Sequence, residues 1–182
     1  MKAKKIWIII LIIVVALGAV SAFVLFGSFG SKGGVSVMEN PINSIVTSHT
    51  ENGIVDNDAV VKEGINNFNS DYINYILLSL GVGGLHKSVL GYGNPKVEFN
   101  MDGETWSTEL VDGFLVTKKE GIDGPDFKLY MKKEEVVKAL LSPNMENFMK
   151  ESLINGDTKF DIVAGKIELG SKGYLSVYDK VK

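Results

Sequence analysis

The sequence contains no cysteine, no arginine and no glutamine. Without cysteine the chain has neither a lipobox nor a disulfide framework, so its folded part must be held together by core packing alone. Without arginine it lacks the planar fork that favours bidentate contacts with phosphates and bases. The formal net charge of −3 becomes −6 when the three lysines of the first 26 residues are left out. A body of this charge is not expected to bind nucleic acid.

One long apolar run, from Ile6 to Phe26, stands out from the rest of the chain. Its 21 residues include no charged one. At about 1.5 Å per residue, a helix of this length matches a hydrocarbon core about 30 Å thick. We therefore predict a transmembrane helix over 6–26, with the lipid bilayer as its partner. Because lysines precede the run and only Lys32 follows closely, residues 1–5 form a cytoplasmic stub and the C-terminal domain is extracytoplasmic.

A cleaved signal peptide is the alternative for this run. The tripeptide Val20-Ser21-Ala22 offers a small-residue cleavage site after a basic start and an apolar middle. However, the apolar residues continue past that site as far as Phe26, and the run exceeds the roughly 7 to 15 residues of a usual signal core. An uncleaved signal anchor is therefore the preferred interpretation, and either interpretation exports the rest of the chain.

Residues 27–56 are rich in glycine, serine and asparagine and lack a sustained hydrophobic period, which predicts a flexible tether. His49 in this segment is expected to be a solvated linker histidine. Two short apolar groups are candidates to dock on the domain as an edge strand. These are Val35, Val37 and Met38, and Ile42, Ile45 and Val46.

The domain, residues 57–182, is predicted to open with two helices. Apolar residues recur at helical spacing from Asp58 to about Phe68, after a cap at Asn57 or Asp58. A second apolar stripe runs from Asp71 to Leu80 and ends at a glycine. Asp56 and Asp58 fit helix capping better than a calcium loop, because the glycine and distal glutamate of an EF-hand are missing.

The glycine-rich stretch Gly81–Ser88, reading GVGGLHKS, does not fit a nucleotide-binding loop. His86 stands where a phosphate-binding loop needs the glycine before its lysine, and the stretch follows a helix instead of a strand. A hinge or tight connection is the better interpretation. His86 itself is a weak candidate for a metal ligand or a base.

Alternating apolar and polar residues between 96 and 131 predict four strands of an antiparallel meander with one apolar and one polar face. Two Asp-Gly dipeptides mark the first two hairpin turns. The predicted strands are Lys96–Met101, Glu104–Val111, Phe114–Lys118 and Phe127–Met131.

Two helices are expected to cover the apolar face. The first spans Lys132–Leu141, and the second follows the Ser142-Pro143 cap and stops at Asn155. The tail is predicted to begin as a strand with Phe160 and Ile162, to continue through Ile167 and Leu169, and to be either helix or strand at 174–181. The predicted fold is α+β: an antiparallel sheet of about five strands, covered by helices on one face and preceded by one transmembrane helix.

Several short motifs in this order carry a family resemblance. Pro125-Asp126 directly precede the fourth predicted strand, which ends at Met131; Glu134-Glu135 open the next helix, and Gly165-Lys166-Ile167 follow the second helix. Over roughly 58–182 the chain resembles sterol carrier protein 2-like domains, in which a PDxxIxM strand runs into an acidic helix start, a second helix and a GKIKIxG element. Here the stretch before that element is longer than usual, and the last segment is ambiguous where the family has a helix.

The resemblance implies a sheet and helices that enclose an apolar tunnel for a lipid, a fatty acyl chain or a sterol-like molecule. Methionine is adaptable and suits a pocket that accepts variable chains, although the same residues also suit an ordinary filled core. The candidate pocket residues are Ile73, Leu77, Phe99, Met101, Trp106, Phe127, Leu129, Met131, Val137, Leu141, Phe148 and Met149.

The sequence thus predicts a membrane-anchored, extracytoplasmic lipid-binding protein. The alternative is a non-catalytic, membrane-anchored protein-interaction or assembly module with a filled core. We predict no enzyme activity, no cofactor and no metal site. The carboxylate pairs Glu134-Glu135 and Asp123 with Asp126 are expected to lie on the solvated surface.

Overall fold

The structure, a computed structural model, describes residues 38–174. The predicted transmembrane run at 6–26, residues 27–37 of the predicted tether and the ambiguous tail at 175–181 lie outside the described residues. Between residues 38 and 174, no helix combines the length and the apolar character needed to cross a membrane.

A five-stranded sheet forms the centre of the domain, and the α+β class is confirmed. The alternating apolar residues of the strands lie on one face, where Val97, Phe99 and Met101 are buried in the core. The strands follow the order β5-β4-β3-β6-β7 across the sheet. They are β3 (Lys96–Met101), β4 (Glu104–Val111), β5 (Phe114–Lys118), β6 (Phe127–Met131) and β7 (Lys159–Ile162).

The sheet is mixed, so the prediction of an antiparallel meander is wrong for its fourth strand. Strands β3 to β5 form the predicted hairpins, whose turns hold Asp102 and Asp112 at φ 51°. Strand β6 instead lies beside β3 and parallel to it, with Phe99 opposite Leu129. The connection 119–126 crosses the polar face of the sheet, where the backbone of Ile122 hydrogen-bonds the Glu98 carboxylate. Residue alternation defines the face of a strand but not its neighbour.

Helices pack against the apolar face of the sheet, and all four helices that the sequence predicted for the domain before residue 156 are present. Asp56, one of the two aspartates expected to act in capping, caps the first of these helices by accepting a hydrogen bond from the backbone of Ala59. The helix after Ser142-Pro143 is instead capped by Asn144, whose side chain accepts a hydrogen bond from the backbone of Asn147. The helices are α1 (Asn43–Ser48), α2 (Asn57–Asn66), α3 (Ser70–Ser79), α4 (Lys133–Leu141), α5 (Met145–Asn155) and α6 (Lys166–Ser171), with a 3-10 turn at Val82–Gly84.

Helices α2 and α4 approach each other closely at Gly64. A Cβ atom on this residue would lie 2.8 Å from Cγ1 of Val137, which is itself fully buried. A glycine inside a helix costs about 1 kcal/mol relative to alanine. Here the missing side chain lets the two helices pack with Val137 against the backbone, so the glycine has a packing reason.

The structure corrects the tether prediction for residues 38–56. This segment forms α1 and a small hairpin, β1 (Thr50–Glu51) with β2 (Ile54–Val55). Ile42 is 1% exposed and Ile45 is 6% exposed, and both belong to the core. The segment contains too few apolar residues to show a clear hydrophobic period, yet the side chains of Ile42 and Ile45 are both buried in the core.

The tail after β7 also differs from the expected strand. Residues 166–171 form α6, in which Leu169 is buried and Ile167 is 70% exposed. A strand would put these two side chains on the same face, whereas a helix places residues two apart on nearly opposite sides. Only one of the two apolar residues therefore reaches the core.

Candidate functional site

The predicted pocket residues all come together in one hydrophobic core between the sheet and the helices. Most are buried, including Met101 and Val137 at 0% exposure. Leu129, Leu141 and Phe148 are partly buried and pack against the same core. The amphipathic pattern of each element therefore identified the core-facing residues correctly, and whether they enclose a ligand stays a prediction.

Methionines cluster where β3 and β6 end. Met101 and Met131 are neighbours in the parallel register and lie on the core face of the sheet. Helix α5 contributes Met149, which is 3% exposed and belongs to the same core, and Met145, which packs against that core from the first turn of the helix. The core thus contains several flexible, polarisable side chains that adapt readily to different shapes.

Aromatic rings that the sequence analysis left out of the site pack against the candidate residues Trp106 and Phe127 and so extend the core at two places. Phe68 lies 5.2 Å from the ring centroid of Tyr72 and 5.8 Å from that of Trp106. Near the start of β6, Phe127 stacks on Phe160 at 5.0 Å and meets Tyr174 edge-on at 4.8 Å. Both arrangements are favourable geometries for aromatic pairs. The helical spacing of Phe68 and the strand position of Phe160 were the available signals.

A short line of polar groups lies on the otherwise apolar face near β5. Thr108 is 2% exposed, and its hydroxyl oxygen lies 2.7 Å from that of Thr117. Thr117 donates a 2.6 Å hydrogen bond to Oδ1 of Asn74 on α3. Within the described structure, the side chains of Thr108, Thr117 and Asn74 hydrogen-bond one another, and both threonine hydroxyl protons are used.

A buried ionic network closes the other side of the core. Asp126 is 0% exposed and Lys172 is 1% exposed, and Nζ of Lys172 lies 2.6 Å from Oδ1 of Asp126 and 2.8 Å from Glu168. The second carboxylate oxygen, Oδ2, accepts hydrogen bonds from the backbone of Lys96 at 2.8 Å and from the hydroxyl of Tyr174 at 3.2 Å. The prediction that Asp126 is a solvated surface carboxylate is therefore wrong.

Asp126 ends the polar crossover and lies directly before β6. Its backbone carbonyl accepts hydrogen bonds from Val163 and Ala164, so one residue fixes the exit of β7 as well. Burial alone would lower the pKa of the Lys172 ammonium group, but its hydrogen bonds with Asp126 and Glu168 raise that pKa above its ordinary value. Burial and the Asp126 carboxylate also raise the pKa of Tyr174.

The glycine-rich connection after α3 packs against this network. The backbone N–H of His86 donates to the carbonyl of Lys172 at 3.1 Å, and the hydroxyls of Ser88 and Ser171 lie 2.6 Å apart. The ring of His86 is exposed, with Nδ1 3.0 Å from the carbonyl of Lys87. Residues 38–174 contain no cluster of three histidine or carboxylate side chains that would hold a metal ion.

His49 is not a solvated linker histidine. Its Nε2 lies 2.6 Å from Oε2 of Glu63 on α2, and the two side chains are 30% and 43% exposed. The contact attaches the end of α1 to α2. The His49–Glu63 contact therefore helps to pack residues 38–56 on the domain. The partial exposure of both side chains suits a structural contact.

Glu104, the first residue of β4, forms ion pairs with two lysines. Its carboxylate lies 2.8 Å from Nζ of Lys133 and 2.9 Å from Nζ of Lys119, and it accepts a 3.2 Å hydrogen bond from the indole of Trp106. The hydrogen bonds from Lys133 and Lys119 hold the pKa of Glu104 at about 2, against an ordinary 4.5.

Glu104→Gln is expected to flatten the acid dependence of stability. Because the pKa of Glu104 is lower in the folded state, its stabilisation is present above about pH 4.5 and is lost as the pH falls towards about 2. Urea unfolding of the full chain, measured from about pH 6 to about pH 2, should show a smaller loss in the variant. Glu120→Gln is the matched control, since Glu120 is 63% exposed and 3.4 Å from Lys118. Parallel acid profiles for wild type and Glu104→Gln would contradict the expectation.

No protein-family model matches the chain, and no curated protein matches it either. The fold and core therefore define a class only by their architecture, an α+β domain with one Met-rich apolar core and a buried ionic network at one side.

Proposed function

We propose that the chain is a membrane-anchored, extracytoplasmic lipid-binding protein whose domain takes up a lipid or fatty acyl chain between the sheet and the helices. One observation supports this above the others. The candidate residues, chosen from strands and helices far apart in the sequence, all lie in one apolar core. They do so on elements that follow the family-like order, from β6 into α4 with Glu134 and Glu135 in its first turn, and then α5.

The composition of the core suits a flexible apolar ligand. Met101, Met131 and Met149 can change rotamer at little cost and so accommodate a chain of variable shape. The hydroxyl oxygens of Thr108 and Thr117 keep acceptor lone pairs for a donor group on a polar headgroup beside the apolar part. The ligand class that combines both features is an amphiphile with one hydrocarbon tail.

The predicted anchor fits this function physically. A lipid carrier tethered to a bilayer keeps its binding site at a high effective concentration near the source of its ligand. Transfer then requires only a short path between membrane and domain. The domain is acidic and all its basic residues are lysines, so it has no feature that favours binding of nucleic acid. The proposal involves no catalytic step.

Photolabelling of the full chain in vesicles tests the proposal directly. A fatty acid with a diazirine near its methyl end is incorporated into the membrane, irradiated, and its adducts are mapped by mass spectrometry. Adducts are expected on core peptides from β3, β6 and α5, and an excess of unlabelled fatty acid should remove them. Adducts confined to residues 6–26 would refute lipid binding by the domain.

A matched pair of substitutions on α5 makes the result specific. Met149→Trp is expected to place a larger ring in the core and to reduce core labelling severalfold, because residue 149 is 3% exposed. Ile154→Trp adds the same ring on the same helix at a residue that is 69% exposed, and it should leave labelling unchanged. Circular dichroism of both variants shows whether the fold is retained. Equal labelling in the two would argue against a ligand near α5.

A protein-interaction module remains the second candidate, because within residues 38–174 β5 is an edge strand of the sheet. Phe114 and Val116 on this strand are 66% and 42% exposed. An edge strand with exposed apolar side chains is a ready template for pairing with another chain. A photocrosslinking residue at Phe114 in the full chain in membranes tests this, since a discrete protein adduct supports the module and its absence leaves lipid binding preferred.

A further inference from the structure

The exposed apolar side chains of the domain are concentrated at one end of the sheet. The pairing register places the starts of β3 and β6 and the ends of β4 and β7 at this end. The connection 85–95 enters β3 here, and residues 163–165 leave β7 here. We define the apolar end as Val89, Leu90, Tyr92, Ile162, Val163 and Ile167.

These side chains are strongly exposed. In the connection, Val89 is 81%, Leu90 is 61% and Tyr92 is 48% exposed, and on the β7–α6 side Ile167 is 70% exposed. Single exposed apolar residues are normal, but a group of them at one place marks an interaction site. The described structure provides no cover for this group.

The two parts of the apolar end are held together by specific contacts. Ser88 meets Ser171 at 2.6 Å, and Ile167 lies one helical turn before Ser171 on α6. Ser88 also fixes its own loop, since its N–H donates to the carbonyl of Gly93 and its hydroxyl accepts from the N–H of Leu90. The tip 89–92 therefore projects from a fixed base.

The opposite end of the sheet carries a group of charged side chains. The β3–β4 turn and the β6–α4 junction meet there, where Asp102 accepts a hydrogen bond from the backbone of Lys133 and Glu104 pairs with Lys119 and Lys133. We define these residues together with Lys132 as the charged end. The exposed apolar side chains thus lie at one end of the strands and the surface ion pairs of Glu104 lie at the other, while the ion pair of Asp126 and Lys172 is buried beside the apolar end.

We propose that the apolar end contacts the lipid bilayer and inserts the tip 89–92 into its interfacial layer. This inference rests on the membrane anchor of the proposed function. The anchor run ends at Phe26 and the described domain begins at Met38, so only residues 27–37 separate them. Eleven residues span at most about 40 Å, so the domain stays beside the membrane surface.

The charge and chemistry of the connection also favour a bilayer over a protein partner. Lys87, two residues before the tip, is the one acidic or basic side chain among residues 72–95 apart from His86, and Lys96 follows at the start of β3, opposite Glu109. Basic residues beside exposed apolar ones suit an anionic lipid surface. Tyr92 has the amphipathic ring that is enriched at membrane interfaces. The apolar core also reaches this end through Phe127, which stacks on Phe160.

The absence of native cysteine allows a clean test with single-cysteine variants of the full chain in vesicles of phosphatidylcholine and phosphatidylglycerol. Leu90→Cys and, separately, Ile167→Cys are labelled with an environment-sensitive fluorophore. Both residues are exposed, so labelling should not disturb the core. Emission is expected to shift to shorter wavelength and to be quenched by lipids with a spin label near the headgroup.

Two control positions receive the same label. Ile54→Cys replaces an apolar residue that is 75% exposed on the β1–β2 hairpin, and Lys132→Cys lies at the charged end. Neither is expected to show a wavelength shift or quenching by lipid. These controls separate insertion of the apolar end from a general effect of the nearby membrane.

The outcomes distinguish this inference from the proposed function. If the chain floats with the vesicles but the probes at 90 and 167 behave as in water, the surface proposal is overturned while anchoring stands. If those probes shift without quenching by lipid, a protein surface covers them and the proposal is again overturned. If the chain does not float with vesicles, both the anchor and this inference fail. Lipid uptake by the core is read separately by photolabelling.

Discussion

Asp126→Ala is expected to lower the free energy of unfolding by about 3–5 kcal/mol, because it leaves the charge of Lys172 buried with only Glu168 as a partner. The same change removes the acceptor of the Lys96 backbone N–H and of the Tyr174 hydroxyl. An unpaired buried donor carries its own desolvation cost. The loss should therefore exceed that of an ordinary surface ion pair several times over.

Urea unfolding of the full chain in nanodiscs measures this effect through Trp106 fluorescence, with Trp7→Phe removing the other indole. Asp161→Ala on the neighbouring strand is the control, because Asp161 is exposed, and its expected change is within about 0.5 kcal/mol. The double variant Asp126→Leu with Lys172→Met should cost less than the sum of the two single changes. Additive costs would show that the two charges are not coupled.

The same network predicts a loss of stability in alkali. The pKa values of Lys172 and Tyr174 are both raised in the folded state. The stabilisation is thus fully present below their ordinary values of 10.5 and 10.0, and it is lost as the pH rises through the higher folded values. This alkaline loss should be smaller in the double variant, in which the lysine is absent.

Ile42→Ala is expected to lower the free energy of unfolding by about 2–5 kcal/mol, the range for removing most of a buried isoleucine. Ile42 is 1% exposed and lies in the core next to Gly64 on α2. A residue in a flexible tether would give no such effect. The substitution therefore tests whether residues 38–56 belong to the folded domain.

The matched control for this prediction is Ile54→Ala. Ile54 belongs to the same segment but is 75% exposed, and its replacement should change stability by no more than about 0.5 kcal/mol. Both variants are measured by urea unfolding under the same conditions. Equal effects for Ile42 and Ile54 would contradict the packing of this segment, whereas a clear difference would confirm it.

The candidate site illustrates how far local patterns reach. Periodicity placed Ile73 and Leu77 on one helix face and Phe99 and Met101 on one strand face, and these residues do meet in the core. Periodicity did not predict that Asp126 is buried, because its partner Lys172 lies 46 residues further along the chain. From the sequence alone a carboxylate is expected on the surface, because carboxylates are rarely buried unless the fold places a cation beside them.

The sequence by itself determined the identity of most elements, because amphipathic spacing, Asp-Gly turns and capping residues act over a few neighbouring positions. Only the tertiary structure decided that β6 lies beside β3, that α1 packs on the domain, and that 166–171 is a helix. Each of these depends on contacts between segments distant in the chain. Such contacts are chosen by which apolar surfaces and buried charges satisfy one another in space, and no local pattern records that choice.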